Sequence, residues 1–303
     1  MPENDEFWNF YWEIALRSME NMGKREAVLA ASRLIRKLWQ QNGQPVRLLE
    51  LGCGEGQIVG TLLNGHAQYC ASNLIAGVDH NAQSLARCRN DFPGMRFIQG
   101  DFTDPALLST LGRYDLVLLV NALHEVYSSE FSHALGEINA PAAKRRVESA
   151  LAEITGLLAS GGWLLLFDGL EPPGHPDEKL QIRFLNEEAR AHFEGFTSQY
   201  RPFRISCRET DSPFCVELSR RDFTRYITKS IFLGKALWQT ERLESYQYFR
   251  EVEFRTAFAR CGMKISELRT LTMNLEKWQR LVEIVTPGED FPQEHILILA
   301  QKK

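Results

Sequence analysis

The chain has 303 residues, enough for two average domains or for one α/β domain carrying an insertion, and its 44% hydrophobic and 24% charged residues are ordinary globular usage. Lys and Arg number 35 against 39 Asp and Glu, a formal net charge of -4 that gives no bulk attraction to phosphate backbones or anionic lipid. Disordered and collagen-like classes are excluded, and nucleic acid is not an expected partner. The six cysteines form no C-x-x-C pair, so neither a zinc knuckle nor a disulfide framework is indicated. The seven histidines contain no H-x-x-x-H or H-E-x-x-H pair, so no metal is implied. Met1 to Asp5 is polar and acidic, and the longest apolar runs have the length of buried strands rather than of membrane helices. A cytoplasmic protein is expected, without membrane association.

Phe7, Phe10, Tyr11 and Ile14 recur at helical spacing, as do Val28, Ala31, Ile35 and Leu38 before Gly43 and Pro45. Two helices therefore open the chain over 1–44. From Val46 the period changes. Short apolar runs at 46–51, 74–79, 96–99, 114–120 and 162–167 alternate with helical segments, the pattern of a parallel sheet in a doubly wound α/β fold. Val147, Ala150, Leu151, Ile154 and Leu158 form a helical stripe, and Gly161-Gly162 is expected to end that helix. A second such joint has Phe254, Ala257 and Phe258 on one face, Gly262 at the cap and a strand from Met263; the last strand is Ile296 to Ala300. Roughly 80 residues, 169–248, separate the fifth strand from this late helix, far more than a usual βα connection. They read as a mostly helical substrate cap inserted into a core of 45–168 and 249–303.

Leu48-Leu49-Glu50-Leu51-Gly52-Cys53-Gly54-Glu55-Gly56 stands where the first strand ends and a helix begins, so its glycines allow a sharp turn and close approach to a ligand. A dinucleotide loop wants G-x-G-x-x-G; here the third dinucleotide position is Gln57. The spacing Glu50-x-Gly52-x-Gly54-x-Gly56 resembles motif I of the class I S-adenosylmethionine-dependent methyltransferases, of the type acting on small molecules. The resemblance covers about residues 45–170 well and 250–301 more loosely. It implies a seven-stranded Rossmann-like sheet and S-adenosylmethionine as cofactor. It also implies cofactor contacts along Glu50, Gly52, Cys53, Gly54 and Gly56. Asp79, closing the second strand beside His80, would hold the ribose hydroxyls. Asp101 would take the adenine amino group, with Phe102 lining the ring. The fourth strand runs into Asn121-Ala122-Leu123-His124-Glu125, similar to the family's strand-four motif, where cofactor and substrate meet; Asn121 falls on the cofactor side.

Methyl transfer from a sulfonium is an in-line displacement in which positioning supplies most of the acceleration. A hydroxyl acceptor benefits from proton removal, and His124 is best placed to act as general base, with Glu125 orienting it or holding an acceptor amine. A core histidine satisfied by a carbonyl is the plain alternative for His124. No N/D-P-P-Y follows strand four, which disfavours methylation of a DNA base or a glutamine amide. Phe7, Trp8, Tyr11 and Trp12 belong to the first helix, which in many members folds over the pocket. The cap offers Tyr200, Arg204 and Tyr226 for an enclosed, partly aromatic substrate pocket, as well as aromatics for its own core. The expected activity is methylation of a small-molecule acceptor, O- ahead of N- or C-, with a SAM-binding regulatory protein as the non-enzymatic alternative. The apolar insertion also suits a homodimer interface.

Overall fold

The computed structural model describes residues 22–303. The helix expected at Phe7 to Ile14, and with it the candidate Tyr11, lies outside the described residues. From there α1 (Met22–Asn42) leads to β1 (Leu48–Leu51), α2 (Gln57–Gly65), β2 (Ile75–Asp79), α3 (Ala82–Asp91), β3 (Arg96–Gln99), α4 (Pro105–Leu108), β4 (Tyr114–Val120) and α5 (Leu123–Ser128). A short hairpin, β5 (Phe131–Ser132) with β6 (Glu137–Ile138), precedes α6 (Ala140–Gly156) and β7 (Leu158–Gly169). The main sheet has seven strands in the order β11-β13-β7-β4-β1-β2-β3, where β11 is Met263–Leu271 and β13 is His295–Lys302. β1 to β4 and β7 are parallel, while β13 runs antiparallel between β7 and β11.

The apolar runs make this sheet because both of its faces are covered. Leu49, Leu51, Val117 and Leu119 point into one core, shared with α6 and with Phe254 and Phe258 of α10 (Glu251–Arg260). Leu48, Leu116, Leu118 and Val120 point into the other, shared with Val28, Ala31, Ile35 and Leu38 of α1. Side-chain caps start the connecting helices: Asn81 Oδ1 accepts from Gln83 and Ser84 N–H, and Asn139 Oδ1 from Ala142 N–H. Gly262 takes the left-handed conformation (φ +71°) just past α10, as expected of a cap. The Gly161-Gly162 pair does something else. α6 has already ended at Gly156, and the glycines sit inside β7, where Tyr114 pairs with Leu158 but Leu116 pairs with Trp163. The extra residues bulge out, and Gly161 supplies the positive φ of +71° that the bulge needs.

The segment after β7 is a separate small layer with helices and a sheet. It contains β8 (Lys179–Phe184), α7 (Glu187–Gln199), β9 (Cys207–Glu209), β10 (Cys215–Ser219), α8 (Arg220–Lys229) and α9 (Trp238–Glu241). Its four-stranded antiparallel sheet has the order β12-β8-β10-β9. β12 (Val282–Ile284) and α11 (Leu275–Gln279) come from the connection between β11 and β13. The cap is thus built from two stretches of chain, and the boundary at 249 gives to the core a piece that pairs with β8. The physical reason is the cap's own core, which Trp278 and Val282 complete against Leu180, Ile182 and Tyr226. Among the described residues no helix is long and apolar enough to cross a membrane.

Cap and core meet at the end of β7, where a Cβ on Gly169 would fall 1.8 Å from the Tyr246 carbonyl oxygen. Gly169→Ala is expected to destabilise the protein by about 1–3 kcal/mol in a denaturant titration. Gly156→Ala, whose new Cβ would have only the tip of the Arg113 side chain at 3.8 Å, should stay within about 1 kcal/mol of the parent.

Candidate active site

The loop after β1 is shaped by three left-handed glycines, Gly52 (φ +76°), Gly54 (φ +51°) and Gly56 (φ +71°), which also serves as N-cap of α2. Gly52 and Cys53 N–H donate to Val78 O at 2.9 and 3.0 Å, which ties the loop to the end of β2. A Cβ on Gly52 would lie 2.7 Å from Ala122 Cβ and 3.9 Å from Phe102, so the loop, the end of β4 and Phe102 meet at that point. At Gly54 the same atom would meet nothing within 4 Å, an open cradle beside a backbone turn. The Cys53 side chain instead turns inward, where only a glycine at position 77 leaves room for its sulfur, and burial pushes its thiol well above the ordinary range.

Asp79 ends β2 with one oxygen on each side occupied by backbone: Gly54 N–H donates to Oδ2 at 2.7 Å and Asn81 N–H to Oδ1 at 2.8 Å. Each oxygen keeps a second lone pair for a ligand hydroxyl. His80 is exposed, with Nδ1 3.8 Å from Asp79 Oδ1. Asp101 is also exposed at the end of β3, its Oδ1 accepting from Thr103 N–H and Oγ1 at 2.7 Å each, while Phe102 is buried. Glu50 lies beneath the loop and accepts from Val59 N–H at 3.3 Å; burial pushes its carboxyl up to about 8 despite the opposing Lys24 charge and the Val59 contact.

The second half of the site stands at the ends of β4 and β7. Asn121 adopts a left-handed φ of +53°, donates its N–H to Phe167 O at 2.8 Å, and accepts from the Tyr246 hydroxyl. His124 follows in the first turn of α5. Its Nδ1 lies 2.9 Å from Asp168 Oδ1, and Asp168 has no exposed surface. Leu123 and His124 N–H donate to Asp168 Oδ2 at 2.8 and 3.1 Å, and Gly169 N–H to Oδ1 at 2.7 Å. Tyr246 lies over the imidazole with ring centroids 4.4 Å apart. Glu244 Oε2 is 3.9 Å from His124 Nε2, and Lys229 Nζ holds Glu244 at 3.0 Å and Glu241 at 2.6 Å. Burial works against the imidazolium, but the Asp168 carboxylate outweighs it and lifts His124 above its ordinary pKa.

The residues expected at the site divide. Gly52, Gly54, Gly56, Asp79, His80, Asp101 and Asn121 stand at the carboxyl ends of β1 to β4, with Phe102 buried close to Gly52 and His124 following Asn121, whereas the side chains of Glu50 and Cys53 are buried beneath the loop. Glu125 is exposed beside His124 and makes no side-chain hydrogen bond among the described residues. Tyr226 belongs to the cap's own core, its ring against Phe193, Phe196 and Trp278 and its hydroxyl 3.2 Å from His192 Nδ1. Tyr200 stacks on Phe196 in the same core, and Arg204 is on the surface. Sequence reasoning missed Asp168, Lys229, Glu244 and Tyr246. Asp168 carried a signal: it is the one charged residue in an otherwise apolar strand, placed at its carboxyl end. Among the described residues, no group of His, Cys, Asp and Glu is arranged to hold a metal ion.

A sequence profile described as a methyltransferase domain matches residues 48–144, about a third of the chain and the stretch that carries the glycine loop, Asp79, Asp101 and His124. Over this stretch the chain is similar to methyltransferase domains. The open cradle at Gly54 and the two half-satisfied oxygens of Asp79 fit S-adenosylmethionine, the cofactor that the sequence resemblance implies. Solved structures with a similar trace include a SAM-bound amino pentose methyltransferase from Micromonospora echinaspora, at 15% identity over 96% of each chain with a TM-score of 0.45. Others are a SAM-dependent methyltransferase from Clostridium acetobutylicum, at 12% identity over 98% of each chain and 0.47, and the N-methyltransferase NodS of Bradyrhizobium japonicum, at 12% identity, 94% and 90% coverage and 0.45. No curated protein matches the chain in sequence.

Glu50 gives the domain a pH signature. Its carboxyl is protonated in the folded state up to about pH 8 and ionises near 4.5 when unfolded, so between those values the unfolded state is the one that loses the proton and stability falls as pH rises. Glu50→Gln cannot ionise. Without added cofactor, its melting temperature relative to the parent is expected to climb from pH 5 to pH 8, read by differential scanning calorimetry across that range.

Proposed function

We propose that the protein transfers the methyl group of S-adenosylmethionine to a hydroxyl of a small molecule, with His124 as general base and Asp168 as its positioning residue. The observation that carries this reading is the His124–Asp168 pair, in which Nδ1 is engaged and Nε2 has no hydrogen bond among the described residues. A buried carboxylate accepts from Nδ1–H, so the neutral imidazole keeps its lone pair on Nε2. A core histidine satisfied by a backbone carbonyl would not be built this way.

In this reading Asp79 receives ribose hydroxyls on its free lone pairs, Asp101 receives the adenine amino group, Phe102 lines the ring, and Gly52, Gly54 and Gly56 let the backbone approach. Glu50 and Cys53 support the loop from beneath, and His80 and Asn121 flank the cofactor. The bound cofactor supplies an electrophilic methyl on a sulfonium. His124 Nε2 takes the acceptor hydroxyl's proton as the oxygen–methyl bond forms and the methyl–sulfur bond breaks to leave a neutral thioether, and Asp168 balances the imidazolium charge that results. The two-stretch cap supports an enclosed small acceptor over a macromolecule, and Glu125 is exposed beside His124.

The test is transfer of labelled methyl from S-adenosylmethionine to a panel of small hydroxyl and amine acceptors. Hydroxyl products are expected, and exclusive labelling of amines would overturn the reading. His124→Gln is expected to lower kcat by roughly 10²–10⁴-fold while the dissociation constant for S-adenosylhomocysteine stays the same; retention of full kcat would leave positioning alone. Because Asp168 raises the His124 pKa, the neutral base is scarce at low pH. The rate should therefore rise with pH through an inflection above 6.5, and Asp168→Asn should move that inflection down and lower the plateau.

A further inference from the structure

Two hydrogen-bond acceptors face each other where the substrate hydroxyl would lie. One is the lone pair on His124 Nε2; the other is Glu244 Oε2, 3.9 Å away, beyond hydrogen-bond length. Glu244 is fixed from behind by Lys229, whose ammonium is 1% exposed and stays charged, against the cost of burial, through Glu241 and Glu244. Burial opposes ionisation of Glu244 as well, but Lys229 and His124 hold its carboxyl below the usual carboxylate range. Its side chain keeps 19% of its surface exposed, so one side of the carboxylate stays open.

A hydroxyl carries one proton. Given to Nε2, that proton leaves the acceptor oxygen's lone pairs against those of Glu244, and an unmet acceptor in a partly buried site is costly. A second donor beside the reacting hydroxyl satisfies both groups. The geometry points to an acceptor class: small molecules whose methylated hydroxyl is flanked on a neighbouring position by a further hydrogen-bond donor, a hydroxyl or an ammonium, received by Glu244. This rests on the O-methylation reading for which atom takes the first proton. Asp168, Glu241 and Glu244 against the single Lys229 also make the surroundings negative, which favours the ammonium and disfavours a flanking carboxylate.

Phenol, catechol, 2-(aminomethyl)phenol and salicylate differ only in the group beside the hydroxyl. Their binding to the S-adenosylhomocysteine complex is measured by calorimetry, and their methylation by label transfer. Catechol and 2-(aminomethyl)phenol are expected to bind at least about tenfold tighter than phenol, and Glu244→Gln to reduce that ratio to about twofold or less. Whichever of the two binds tighter identifies the flanking donor as hydroxyl or ammonium. Equal binding of phenol and both donor-bearing probes, no binding of any of them, or a preference that survives Glu244→Gln overturns the inference. Should that variant not fold, the parent protein still decides, because salicylate binding as tightly as phenol also overturns it. The preference in binding without transfer to a hydroxyl upholds the role of Glu244 and overturns O-methylation; transfer to all probes at equal binding does the reverse.

Discussion

The catalytic end of the sheet depends on one buried carboxylate. Asp168 has no contact with solvent, and a charge in that position persists only if every lone pair finds a donor. Its four donors come from the first turn of α5, from the His124 ring and from Gly169. To supply them, α5 must begin beside the end of β7. That requirement sets the imidazole's place, its tautomer and its elevated proton affinity together. In the proposed reaction, the hydrogen bonds that make the buried carboxylate tolerable are the same contacts that prepare the histidine to act as base.

The cap is registered on this point. Ser245 N–H donates to Ser128 Oγ at 3.0 Å, and Ser128 Oγ donates to the His124 carbonyl at 2.8 Å. Tyr246 covers the imidazole and joins Asn121, while its carbonyl occupies the space that a side chain at 169 would take. Glu244 precedes these residues, with Lys229 of α8 behind it. A short strand of chain after α9 therefore carries both the aromatic cover and the second carboxylate. Ser245 through Ser128 and Tyr246 through its ring both meet the His124 turn that Asp168 holds, while Tyr248, two residues on, packs into the apolar core of the main sheet.

How much of this the sequence disclosed follows from distance along the chain. The placement of the glycine loop, Asp79 and Asp101 was legible because each stands within a few residues of a strand end, where turn chemistry dictates residue type. The five parallel strands were legible because continuous apolar runs are what a doubly covered sheet requires. Asp168 and Glu244 were not, since each gains its meaning only from His124, which folding brings near. β8 alternates buried and exposed residues from Lys179 to Phe184, yet the segment read as helical, because the sheet is completed by the three residues of β12 from another part of the chain. The Gly161-Gly162 pair misled for a related reason: glycine announces a positive φ, and a bulge inside a strand meets that need as well as a helix cap does. The aromatics of the cap fill its own core, as Tyr200 and Tyr226 show, since a layer this small needs them for packing.

The two halves of the site are built on different physical terms. The half proposed to hold the cofactor is backbone: left-handed glycines, loop N–H groups and carboxylates anchored by local turns. The acceptor half is side-chain charge, placed by long-range contacts. There, the proton on His124 is stabilised from two sides, by Asp168 through a hydrogen bond and by Glu244 across an open gap. An acceptor that engages Glu244 with its own positive charge withdraws that second support, lowers the proton affinity of His124, and so frees the neutral base at the moment the acceptor is seated. A neutral acceptor leaves the support in place. Under the proposed reaction, recognition of the acceptor and readiness of the base become one electrostatic balance, held between Asp168 on the sheet and Glu244 opposite it.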